Sequence, residues 1–412
     1  MLKFFKSIVD SFGILNMTPQ QGIMIIVALF FLYLSVAKKI EPLLLLGLAF
    51  GMLIANLPSS VTVLVDNSQL DRLTDAAKAA PLSSYYINPV SGNPGLLRII
   101  YSGIRLVVFP PMIFLCIGSM TDFGPLIASP KSFLIGLGAQ FGIFVAMAVS
   151  FYLGNFVLQL INPDYVRLTL KECAAIGIIG GADGPTAVYT SIMLAPRLLP
   201  AISIAAFSYM ALVPFIQPPF MRLLTTKKER VIVMPEPKAV TQSQKIMFPI
   251  LLAIVVLLLI PAAGALIAMM CLGNLIKESG AVDRIARALQ GDFLSIVTLF
   301  VGLSIGSSAT AEIFLTPETL IILVCGVIAF AFGTVGGIII AKILNVITGG
   351  KVNPLIGNAG VSAMPMAARI SQKMGIKYNP DNYLLMHAMG PLVSGVIGSA
   401  ICSGIFITFF AR

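Results

Sequence analysis

The run Gly177-Ile178-Ile179-Gly180-Gly181-Ala182-Asp183-Gly184-Pro185-Thr186 sets a carboxylate among glycines, with apolar sequence on both sides. Gly-Gly and Gly-Pro break a helix, because glycine resists ordering and proline removes a donor and clashes with the preceding turn. Two half-helices therefore meet here and leave unpaired N–H and C=O groups around Asp183. In a membrane such backbone survives only where it is buried in protein or lines a watery cavity. An ionisable residue at that depth marks an ion or substrate path by default. The membrane itself follows from composition: 58% of the 412 residues are hydrophobic and 11% charged, where a soluble domain carries about 25% charge.

The formal charge of +10 is no sign of nucleic-acid binding, because the basic residues cluster between apolar spans, as they do in membrane proteins. Cys116, Cys173, Cys271, Cys325 and Cys402 lie singly in apolar segments and read as buried structural thiols. The first twenty residues lack a continuous apolar core and an A-x-A site, so they read as a short amphipathic helix on the membrane, not a cleaved signal.

A span needs about 20 apolar residues. Candidates are 18–37, 42–57, 98–119, 131–161, 198–222, 246–260, 262–277, 292–310, 317–345 and 382–411, with broken segments at 168–195 and 353–372. The short pair within 246–277 leaves open whether it is two spans or one kinked helix.

The halves resemble each other. A shift of 180 sets Ile176-Gly177 on Ile356-Gly357, Gly180 on Gly360, Pro185 on Pro365, Ala187 on Ala367 and Ser191 on Ser371. A shift of 187 sets Ser129-Pro130-Lys131-Ser132 on Thr316-Pro317-Glu318-Thr319, both helix starts with proline at the first position. Upstream, Ile117-Gly118-Ser119 matches Ile305-Gly306-Ser307. The expected fold is an all-α integral membrane protein of two inverted repeats, 1–224 and 246–412, joined by a basic linker at 225–245. It has about ten transmembrane helices and two re-entrant hairpins meeting at mid-membrane.

Charge sets the orientation. Arg222, Lys227, Lys228, Arg230, Lys238 and Lys245 place the linker in the cytoplasm, and with five crossings and one re-entrant hairpin in each half both termini lie outside. The first hairpin enters from outside and the second from the cytoplasm. Inverted repeats with broken helices around a midplane site are the architecture of ion-coupled carriers.

Asp183 would cost about 2.5–3.5 kcal/mol at a helix centre even on a mild insertion scale. It also stands where a carboxylate caps the half-helix beginning at Pro185, and the two roles are compatible. No GK[ST] follows the glycines, so a phosphate loop is excluded. In the second broken segment Asn353, Asn358 and Ser362 supply neutral oxygens, and the unwound backbone supplies carbonyls. One carboxylate with neutral oxygens suits a monovalent cation such as Na⁺. Ordinary interhelical hydrogen bonding is the alternative for those polar side chains. Arg369, four residues after Pro365, offers a fork of donors for a carboxylate, or snorkels to the interface. Tyr209 could add a hydroxyl or simply pack. His387 reads as packing, and Arg98 and Arg105 as headgroup or partner contacts. No Ser/His/Asp, Cys/His or metalloprotease constellation occurs.

The Gly180–Thr186 run, paired with Asn353-Pro354-Leu355-Ile356-Gly357-Asn358-Ala359-Gly360-Val361-Ser362 through Arg369, resembles the β-subunit of sodium-pumping biotin-dependent decarboxylases. Those complexes act on oxaloacetate, methylmalonyl-CoA, glutaconyl-CoA or malonate. The resemblance covers nearly the whole chain. It implies a bacterial inner-membrane protein that decarboxylates carboxybiotin delivered from the cytoplasm, takes up a proton and moves Na⁺ outward. Asp183, Tyr209, Asn353, Gly357, Ser362 and Arg369 match the family's functional positions. With no M-K-M biotin site in this chain, the resemblance implies a separate biotin carrier and a carboxyltransferase. It also implies a small single-span subunit and a homotrimer of this chain.

On that reading Arg369 holds the carboxylate of carboxybiotin, with Asn353 beside it as a second cofactor-binding residue. Asp183, with Asn353, Gly357, Ser362 and Tyr209, holds Na⁺ in one state and releases it in another, as the core slides against 18–57 and 246–277. The rival is a sodium-coupled carboxylate carrier of elevator type that performs no chemistry.

Overall fold

The computed structural model describes residues 17–411 except 40–41, 58–95, 164 and 238, with the side chains of 96, 98, 210 and 211 also left aside. The expected amphipathic start and the Arg98 side chain lie outside the described residues. Among those described, every regular element is helical. Six helices are long and apolar enough to cross a membrane, or up to eight if two bent pairs each count as one span. Large apolar side chains face outward, Leu258 at 77% and Val346 at 81% exposure. Hydrocarbon tolerates such a surface, whereas water would drive it to associate.

The chain order repeats. Pro19–Val36, Pro42–Ala55, Leu96–Arg105 with Phe109–Met120, and Pro130–Ile161 precede the first broken segment and Leu199–Leu224. Gln242–Leu259, Gly264–Ser279, Asp283–Ser307 and Pro317–Ile347 precede the second broken segment and Leu385–Phe410. The stretch 246–277 is an antiparallel pair, not a kinked helix. The helix stops at Ile260-Pro261, and the Gln242 amide at its start reaches the Glu278 carbonyl near the end of the return leg.

Two compact units emerge, one from 1–109 with 295–316 and the other from 110–294 with 317–412. In the first, a Cβ on Gly306 would lie 2.0 Å from the Leu48 carbonyl oxygen. In the second, a Cβ on Gly118 would lie 1.9 Å from that of Met270. The repeat-matched glycines thus do the same work in each unit, letting two helix backbones touch, as small residues do between membrane helices.

The second unit holds the site. Pro130–Ile161 and Pro317–Ile347 lie side by side, with Leu385–Phe410 packed on the former and Leu199–Leu224 on the latter. The first hairpin starts and returns at the end of Pro317–Ile347 marked by Glu318. There Arg197, just past the hairpin, pairs with Glu172 on its first leg and with Glu318 (3.2 Å), whose other oxygen accepts from Tyr165. The second hairpin starts and returns at the other end, beside the linker. Asn353 Nδ2 donates to the Arg230 and Ile232 carbonyls (3.2 and 2.8 Å), and Asn382 donates to Arg230 (3.0 Å). Lys342 fixes the linker to this end through the Leu224 carbonyl (3.0 Å) and Glu229 (3.4 Å). Burial pushes the Glu229 carboxyl up, but Thr226 hydrogen bonds and the Lys342 ammonium outweigh it and hold it below the ordinary range. At about 1.5 Å per residue the 31-residue helix Pro317–Ile347 separates these ends by roughly 45 Å.

Candidate cation site where the hairpins meet

Hairpin 1 runs as the helix Leu170–Gly177, a 3₁₀ turn Ile178–Gly181, and the helix Gly184–Leu194. Thr169 and Glu172 form a capping box at its start. Ala182 takes a left-handed φ of 56°, which costs a non-glycine residue, and turns the chain so that Asp183 stands in extended backbone ahead of the second leg. Hairpin 2 is a 3₁₀ stretch Pro354–Gly360, an extended piece around Val361, and the helix Met366–Tyr378. The tips touch: Ser362 N–H donates to the Gly181 carbonyl at 2.9 Å.

Asp183 is 4% exposed and caps the second leg, its Oδ1 accepting the Thr186 N–H at 3.3 Å. Oδ2 accepts from Thr186 Oγ1 and Ser399 Oγ, both at 2.7 Å. Ser362 Oγ lies 3.3 Å from Ser399 Oγ, which puts the second hairpin's serine one step from the carboxylate. One turn further, Thr190 and Ser403 share a 2.6 Å hydrogen bond that fixes this leg to Leu385–Phe410.

Gln140 completes the cluster, and sequence reading missed it. It is 2% exposed, at the interruption of Pro130–Ile161 where its N–H bonds to Leu137 at 3.1 Å. Its Nε2 donates to Gly136 (3.0 Å) and Gly395 (3.2 Å), which fixes the amide so that Oε1 has no partner. That oxygen lies 3.5 Å from where a Cβ on Gly181 would stand, and Ser399 Cβ lies 3.0 Å from the same point. A buried acceptor without a donor costs about 1–3 kcal/mol, and a desolvated cation would remove that cost. The signal was available: Gln140 is the one polar side chain between Ser132 and Ser150. Among the described residues no cluster of three His, Cys, Asp or Glu could hold a metal. The donor set is one carboxylate with hydroxyl and amide oxygens, which suits a monovalent hard cation better than a divalent one.

The other expected residues stand elsewhere. Asn353 caps the base of hairpin 2, its Oδ1 accepting Leu355 N–H at 3.0 Å, and none of its hydrogen bonds reaches Asp183. Asn358 is engaged by Gln217, Ala367 and Ser371. Tyr209 packs on Gly326 and donates its hydroxyl to the Leu323 carbonyl. To serve as ligands, Asn353 and Tyr209 would have to release these partners. Gly357 presses its backbone on Gly337 and Ile338. Arg369 is exposed in the second leg and forms no ion pair among the described residues.

Two interrupted hairpins that start from opposite ends of one helical unit and meet at a buried carboxylate define an ion-handling membrane protein of many spans. The sequence model for the Na⁺-transporting oxaloacetate decarboxylase beta subunit matches residues 20–410. The oxaloacetate decarboxylase beta chain 2 of Salmonella typhi is 45% identical over 436 residues, covering 99% of each chain. The methylmalonyl-CoA decarboxylase beta subunit of Propionigenium modestum is 45% identical over 410 residues, covering 100% of each. That of Veillonella parvula is 45% identical over 407 residues, covering 99% of this chain and 98% of its own. The chain belongs to the family of Na⁺-transporting decarboxylase β-subunits. It is the membrane subunit of a sodium-pumping decarboxylase and works with partner subunits.

Proposed function

We propose that this chain cleaves carboxybiotin, brought on a separate carrier to the linker-bearing cytoplasmic face, and uses the reaction to move Na⁺ outward. Carboxybiotin and one proton give biotin and CO₂. The proton and the sodium ion compete for Asp183, so the carboxylate gives up one when it takes the other. Asp183, Ser362, Ser399 and the Gln140 amide oxygen form the cation set. Asn353 and Gly357 seat hairpin 2, Tyr209 steadies Leu199–Leu224 against Pro317–Ile347, and exposed Arg369 takes the carboxylate of carboxybiotin. The observation that carries this reading is the meeting of both hairpin tips at one buried carboxylate beside an unpartnered oxygen.

Relatives named for oxaloacetate and for methylmalonyl-CoA are equally similar to this chain. The acid is therefore chosen by the carboxyltransferase of the complex. A small single-span subunit and a trimer of this chain complete the assembly. Avidin capture from a detergent extract tests the reading. This chain is expected to come down with a biotinylated carrier and a carboxyltransferase, and sodium is expected to stimulate decarboxylation of oxaloacetate or methylmalonyl-CoA. A chain that purifies without biotinylated company and carries free carboxylates down a sodium gradient would be a secondary carrier instead.

Replacing Gln140 by Leu tests the orphaned oxygen. Losing one ligand to a charged partner costs about 1.5–3 kcal/mol, so half-saturation by sodium is expected to rise about 10- to 100-fold. Unchanged sodium activation in Gln140→Leu would leave the amide outside the cation set.

A further inference from the structure

The two ends of the hairpin-bearing unit differ in charge at, or one residue from, positions that the repeat makes equivalent. At the end of hairpin 1, Glu318 is the second residue of Pro317–Ile347, and Glu172 stands on the hairpin's first leg. Arg197 bridges the two carboxylates. At the end of hairpin 2 one matching position and a neighbour of the other carry the opposite charge. Lys131 is the second residue of the helix that Pro130 begins, and Lys351 lies at the base of the hairpin, one residue before the position matching Glu172.

Here no side chain bridges the pair. Lys131 and Lys351 line a cavity of about 270 Å³, and among the described residues neither forms an ion pair. The rest of the lining is mainly apolar, Met234 and Ile356 among it, with His387 and a single carboxylate, Glu236. Two ammonium groups over an apolar bed attract an anion that carries an apolar body, because the bed replaces water and the charges then act in a weaker dielectric.

We propose that this cavity is a binding site for a carboxylate on a compact apolar body, with Lys131 and Lys351 clasping the carboxylate as Glu172 and Glu318 clasp Arg197. The bound anion is then the removable half of an ion-pair clamp whose counterpart at the other end is built into the chain. That the anion arrives on a carrier, and is passed from this site to Arg369 for cleavage, rests on the function proposed above. The existence of the site does not.

All five native cysteines are buried, so Ser129→Cys, at an exposed residue of the cavity lining, places a single accessible thiol there. Its maleimide labelling is followed on the full-length chain in detergent with benzoate, and with chloride or benzyl alcohol as controls at matched ionic strength. Benzoate at ten times its half-saturating concentration is expected to slow labelling about tenfold, and the controls are not. The protection is expected to vanish in the Lys131→Gln/Lys351→Gln background. A carboxybiotinylated carrier domain that protects where the biotinylated one does not identifies the carrier as the source. Benzoate protection without carrier protection points to a free carboxylate, and the site stands even if the proposed pump does not. Absence of protection by any carboxylate, equal protection by benzyl alcohol, or protection that survives the double substitution would overturn the proposal.

Discussion

Asp183→Asn is expected to abolish sodium uptake and decarboxylation together while leaving the protein folded. Asparagine is as good an N-cap as aspartate, so Thr186 N–H keeps its acceptor and the second leg of hairpin 1 keeps its start. What disappears is the charge. A carboxylate about 4 Å from a monovalent cation is worth about 4 kcal/mol at an effective dielectric of 20, or roughly a thousandfold in affinity. The amide also cannot carry the exchanged proton, so the coupled step fails even where sodium is in excess. The check is paired: sodium flux into proteoliposomes and CO₂ release from the same preparation, with melting temperature as the folding control. Decarboxylation retained without flux would place Asp183 in the ion path but outside the decarboxylation step. Retention of both would remove it from the mechanism.

Gly357→Ala is expected to disable the protein by a different route. A Cβ at this position would lie 2.5 Å from Ile338 Cα and 2.6 Å from the Gly337 carbonyl oxygen. Both are backbone of the long helix Pro317–Ile347, which cannot rotate away as a side chain could. The 3₁₀ arch of hairpin 2 therefore has to lift, at an overpacking cost of about 1–3 kcal/mol. Because Ser362 N–H is bonded to Gly181 across the tip contact, a displaced arch also draws Ser362 from Ser399. The expected result is a lower melting temperature together with weaker sodium activation. Destabilisation with unchanged sodium activation would separate the arch from the cation site.

The architecture was legible in the sequence because its cause is local. Gly180-Gly181 and Gly184-Pro185 interrupt a helix wherever they fall, and the matched order of Gly357, Gly360 and Pro365 repeats the interruption. The site was legible only in part, since its partners come from distant segments. Ser399 is 216 residues from Asp183, and nothing in its own neighbourhood, a run of small residues in Leu385–Phe410, marks it as a ligand. Gln140, a lone amide in a long apolar run, is a polar group needing a reason, yet it lies outside both broken segments. Its place in the motif groups Asn353 with the cation set, yet a residue just before Pro354 is also an N-cap, and capping is what its side chain does here. The clamp of Glu172, Arg197 and Glu318 joins charges from three segments, a pairing that spacing cannot reveal. The course of 246–277 was ambiguous because proline either kinks a helix or ends it.

The most direct measurement is equilibrium binding of radioactive sodium to the purified full-length chain, with no carrier or substrate present. Saturable binding is expected in the wild type, weakened in Gln140→Leu and lost in Asp183→Asn. Saturable sodium binding of unchanged affinity in Asp183→Asn would contradict a cation site at the meeting of the two hairpins.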